Sequence, residues 1–106
     1  MSTEILISTI LLVISIIFFL FQPQKINKLY GYRTRKSMSS IENWKLSNKY
    51  SAKGMLIISI LNLTVFYIIS LFVSEINKYI YLIVLLIEFI LLFYLTEKKI
   101  TQNENK

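Results

Sequence analysis

The chain has 106 residues, enough for one domain, and a net charge of +6. Its apolar residues, 55% of the total, fall in three blocks instead of recurring along the chain, which excludes an ordinary soluble globule. With no cysteine, no histidine and six scattered glutamates, it has no disulfide, metal site or acid–base pair to offer, so we expect no catalytic residue, no cofactor and no enzyme.

The first apolar block, Ile5–Phe21, carries no charge, and Pro23 lies just beyond it, where a helix cannot continue. Its start lacks Lys and Arg and its end lacks a small-residue cleavage site, so a retained helix is expected over a signal peptide. A polar, basic loop follows, Gln22–Gly54. The second block, Met55–Val73, is again uncharged, and the third, Tyr79–Leu95, holds one charge, Glu88. Each is near the roughly 17–25 residues that cross a hydrocarbon core of about 30 Å as a helix. The expected fold is all-α: one integral membrane module over residues 1–106 with three transmembrane helices. The short turn "SEINK" makes the last two an antiparallel hairpin. Residues 96–106 read as a polar tail, its final "TQNENK" frayed.

Orientation follows from the basic residues. Lys25, Lys28, Arg33, Arg35, Lys36, Lys45, Lys49 and Lys53 lie in the loop, and Lys98, Lys99 and Lys106 in the tail, against Lys78 alone on the other side. Eleven against one predicts a cytoplasmic loop and C-terminus and an outside N-terminus. The positive charge is thereby read as topology, with anionic lipid headgroups as its partner and no nucleic acid.

Within the loop, Gly31 between Tyr30 and Tyr32 is the residue suited to a positive φ and a chain reversal. Ser39 and Glu42 have capping-box spacing and predict a short interfacial helix from about residue 40 to 52, separate from the second span. One stripe of it carries Ile41, Trp44, Asn48 and Ala52, while Leu46 and Tyr50 fall on nearly the opposite side. Arg33 differs from the lysines because its planar fork holds a carboxylate or phosphate with two bonds.

Asn27, Gly31-Tyr32-Arg33-Thr34, Ser37-Met38, Glu42-Asn43-Trp44 and Asn48 together resemble the signature of the SdpI family of bacterial membrane proteins. The resemblance runs from about Pro23 to the end of the third span, and this chain matches a short, three-helix version. It implies a multi-pass protein of the bacterial cell (inner) membrane. It further implies immunity to, or sensing of, an envelope-active peptide toxin, because the family takes its name from immunity proteins. The signature residues Asn27, Gly31, Tyr32, Arg33, Thr34, Trp44 and Asn48 are the expected binding or folding motif. Partners to weigh are the peptide toxin, a larger membrane protein for which the chain is a scaffold or accessory subunit, and further copies forming a homo-oligomeric transporter.

Three polar residues inside the spans complete the candidates. Ser15, Asn62 and Glu88 lie six or seven positions from the basic ends of their blocks, or roughly 9–11 Å deep. They are expected to form a shared polar layer if the helices face one another. An intramembrane carboxyl is costly enough to count as a functional candidate.

Overall fold

The computed structural model describes residues 3–105, and every regular element among them is helical. Helix α1 spans Thr3–Leu20, α2 spans Ile41–Phe72 and α3 spans Lys78–Glu104. All three are long and apolar enough to cross a membrane. Helix α1 ends as the apolar run ends, with Phe21 N–H closing the last turn on Ile17 O at 2.9 Å ahead of Pro23. Asn77 caps α3 by accepting from Tyr79 N–H at 2.8 Å.

Two helices are longer than expected. No separate interfacial helix lies between the first and second spans: residues 41–52 are the first turns of a continuous 32-residue α2. Its N-cap is Ser40, whose hydroxyl accepts from Asn43 N–H at 3.1 Å, so the cap sits one residue later than the Ser39–Glu42 spacing suggested. Gly54 does not break the helix. A Cβ there would run into Leu92 of α3, so the glycine sits where α2 and α3 approach most closely. The segment expected as a polar tail from residue 96, frayed from residue 101, is helical through Glu104, with Thr96 and Ile100 fully buried. At 1.5 Å per residue α2 is about 48 Å long and α3 about 40 Å. A hydrocarbon core of about 30 Å leaves two to three turns of each outside it.

Helix α2 is central, with α1 on one side and α3 on the other. Small side chains bring α1 and α2 together: Ser15 and Ser59 are both buried, and their hydroxyls lie 2.9 Å apart. At the end far from the loop, Phe66 of α2 meets Tyr81 of α3 edge to face at 4.7 Å, with Leu85 completing the cluster and Ile7 and Leu11 of α1 against it. The hydroxyls of Ser8 and Tyr81 share a hydrogen bond across α1 and α3. Most other Ile and Leu side chains face outward, as lipid-facing residues do.

Candidate functional site

The loop between α1 and α2, residues 21–40, folds onto the extra-membrane turns of α2 and α3. It is held by backbone groups meeting side chains. Asn27 Oδ1 accepts from Leu29 and Tyr30 N–H, at 2.9 and 2.8 Å, which turns the chain toward Gly31. Gly31 has φ +107°, and a Cβ on it would collide with Asn48 Oδ1 and lie 2.7 Å from Pro23 Cγ. Thr34 and Ser37 close the next turn reciprocally: Thr34 N–H donates to Ser37 Oγ at 2.7 Å and Ser37 N–H to Thr34 Oγ1 at 3.1 Å.

Asn48 is the clamp of this arrangement. Its Oδ1 accepts from Tyr32 N–H at 2.6 Å, while its Nδ2 donates to Trp44 O at 2.8 Å and Tyr32 O at 3.3 Å. One fully buried amide thus satisfies both backbone groups of a loop residue, as a neighbouring strand would. Trp44, also fully buried, donates its indole N–H to Pro23 O at 2.8 Å and fastens the start of the loop. Ala52 is buried on the same face, but Ile41, expected beside them, is exposed.

Helix α3 holds the rest. Thr34 Oγ1 donates to Glu97 Oε2 at 3.2 Å, Asn43 Nδ2 to Glu104 Oε1 at 2.8 Å, and Lys36 Nζ to Thr101 Oγ1. The Tyr32 ring lies beside Phe93, with its hydroxyl 3.4 Å from Phe93 O. Burial first, then the Glu97 carboxylate nearby, pushes the Tyr32 phenol above its ordinary value. The neutral phenol is therefore the form the fold prefers. Its contribution to stability is complete below the unfolded value of about 10 and falls as pH rises past it. Unfolding of wild type and Tyr32→Phe should accordingly differ by a constant amount at pH 7–9, with the difference shrinking above pH 10. A gap that stays constant to pH 11 counts against this environment for Tyr32.

Six of the seven signature residues thus serve the loop's own fold. Arg33 is the exception: it is exposed, and among the described residues no hydrogen bond or ion pair holds its guanidinium. Glu97, Thr101 and Glu104 were not among the sequence candidates, and Asn43 entered only as part of the signature run. They join residues more than 60 positions apart, and no local spacing announces such pairs.

Inside the spans, Asn62 Nδ2 donates to Glu88 Oε2 at 3.2 Å, joining α2 to α3. Ser15 is paired instead with Ser59, so the layer is built from two pairs that meet α2 one turn apart. Ser59 was missed by sequence reasoning, although Ser47, Ser51 and Ser59 share one face of α2 at multiples of four residues. Glu88 Oε1 is buried without a partner. Glu88→Gln keeps an acceptor for Asn62 and should assemble like wild type. Glu88→Ala should lose about 0.6–2 kcal/mol in unfolding by SDS titration. Equal tolerance of the two would remove the hydrogen bond from the account.

Beside Glu88 an open groove of about 630 Å³ runs between α2 and α3. Ile57, Leu61, Leu91 and Leu95 line its length, and Lys53 and Lys99 stand at its basic end. Among the described residues no three His, Cys, Asp or Glu side chains gather as metal ligands do.

Comparison with known proteins matches residues 24–95 to the model of the SdpI/YfhL protein family, a stretch covering most of the folded loop, all of α2 and the span of α3. The chain is also 34% identical over 93 residues to the "Uncharacterized protein YfhL" of Bacillus subtilis (strain 168), covering 86% of this chain and 79% of that one. The chain belongs to the SdpI/YfhL family. No solved structure matches it. The SdpI/YfhL match contains the Asn48–Tyr32 clamp, the Thr34–Ser37 turn and the Asn62–Glu88 pair. It stops before Glu97, Thr101 and Glu104, so the α3 groups that hold the loop lie beyond the matched stretch.

Proposed function

We propose that this SdpI/YfhL protein sits in a bacterial cell membrane and protects against, or senses, an envelope-active peptide. Its N-terminus lies outside, and its loop and C-terminus lie in the cytoplasm. The observation that carries this reading is the family match across loop and helices together, since the SdpI resemblance is the one feature that implies immunity. The basic residues, eleven against one, support the orientation. In this reading the outward-facing apolar helices meet the peptide in the bilayer. The loop, tied to both long helices, is the part that answers on the cytoplasmic side. The test is deletion of the gene, followed by challenge with peptide-containing supernatants from related bacteria. Increased sensitivity to at least one, reversed by the gene, is expected; unchanged sensitivity across a broad panel defeats the reading.

A second reading, a scaffold or accessory subunit, is favoured by the turns of α2 and α3 that stand clear of the membrane and by the exposed Arg33 of the loop folded on them. It predicts a stoichiometric membrane-protein partner on purification in mild detergent, lost in Arg33→Lys, which keeps the charge and removes the fork.

A further inference from the structure

The groove between α2 and α3 joins an apolar length to a cationic end. Its lining residues recur every three or four positions on both helices, Gly54, Ile57 and Leu61 on one side and Glu88, Leu92 and Leu95 on the other, so it follows the helix axes for about three turns. Ile57, Leu61 and Leu91 are each about half exposed, so the groove opens toward lipid. Its basic end lies where the apolar runs stop: Lys53 is two residues before Met55, and Lys99 four after Leu95. The pairs Asn43–Glu104 and Gly54–Leu92 fix the register of the two antiparallel helices. That register sets the two lysines roughly one and a half helical turns, about 8 Å, apart in height, within reach of one group on their flexible stems.

We propose that this groove is a site for one anionic phospholipid. An acyl chain lies along Ile57, Leu61, Leu91 and Leu95, and the phosphate stands between Lys53 and Lys99. Charge selects this occupant. A second copy seated symmetrically in the groove would bring four ammonium groups to one rim, a repulsive arrangement. A zwitterionic lipid fills the apolar length equally well but offers the lysines no net charge. An apolar helix of another protein matches the length and leaves both cations unanswered.

Native mass spectrometry of the full chain, released from nanodiscs of equal phosphatidylglycerol and phosphatidylcholine with identical acyl chains, tests the site. One phosphatidylglycerol per chain should be retained in preference to phosphatidylcholine, and glycerol phosphate without acyl chains should not displace it. Lys53→Gln with Lys99→Gln should lower the preference roughly thirtyfold, while Lys25→Gln with Lys28→Gln, the same loss of charge elsewhere, should leave it nearly unchanged. Ile57→Trp, which fills the groove and spares the lysines, should reduce retention of both lipids. Equal retention of the two lipids by wild type overturns the proposal without recourse to any variant. So does an equal effect of the two lysine pairs, or a polypeptide or second copy found in the groove in place of lipid.

Discussion

Trp44→Ala should cost about 3–5 kcal/mol of stability, the largest effect of any single change in the loop end. The ring is fully buried, and its truncation leaves a hole where the loop packs on α2. It also strands the carbonyl of Pro23, which the indole N–H satisfies at 2.8 Å. Trp44→Phe separates the two contributions. It keeps most of the buried ring and loses the hydrogen bond, so a cost of about 1–3 kcal/mol is expected. Unfolding by SDS titration, followed by circular dichroism because the chain has no other Trp, gives both numbers. Hydrogen exchange gives the location: residues 23–37 should lose protection in Trp44→Ala while the amides of α1 keep theirs. Uniform loss across all three helices would mean that the loop is no separate cooperative unit.

Asn48→Ala should cost about 1–3 kcal/mol. It leaves the N–H of Tyr32 without its partner in a partly buried place, whereas the Tyr32 carbonyl keeps the Ser37 hydroxyl at 3.2 Å. Gly31→Ala is destabilising for a linked reason. Its φ of +107° disfavours any side chain, and the new methyl meets the Asn48 amide oxygen. The two changes are therefore not independent. In the double variant the collision with Asn48 is gone, and the combined cost should fall below the sum of the singles by about 0.5–3 kcal/mol. Additive costs would show that the glycine is required by its backbone angle and by Pro23 alone.

The contrast between what the sequence announces and what it hides has a physical origin. The three spans are legible because a bilayer demands long uninterrupted apolar runs, and Pro23 punctuates the first. The positive φ at Gly31 is legible because other residues rarely take it. The true lengths of α2 and α3 are not. Their outer turns are polar, and what keeps them helical is contact with each other and with the loop, through Asn43 to Glu104 and Thr34 to Glu97. Such contacts are invisible to any local pattern. Counting depth along the helices found the level of Ser15, Asn62 and Glu88 but not Ser59, the partner of Ser15. Ser59 and Asn62 sit one turn apart on α2 and face different neighbours, so Ser15 found the serine and Glu88 the asparagine.

The unbroken run of α2 from Ile41 to Phe72 gives the molecule a mechanical property. A single rod of about 48 Å carries the clamp at Asn48 near one end and reaches the far face of the bilayer with the other. Its one glycine, just before the apolar run, is braced against Leu92, so it offers no joint at which the rod can bend. Tilting such a rod by about five degrees about its middle moves each end by roughly 2 Å in opposite directions, and Asn48 by roughly 1 Å. That is enough to stretch the 2.6 Å bond from Tyr32 N–H to Asn48 beyond hydrogen-bond length. A push at one face of the membrane therefore arrives at the other as leverage on the loop, with no change in the helix that carries it.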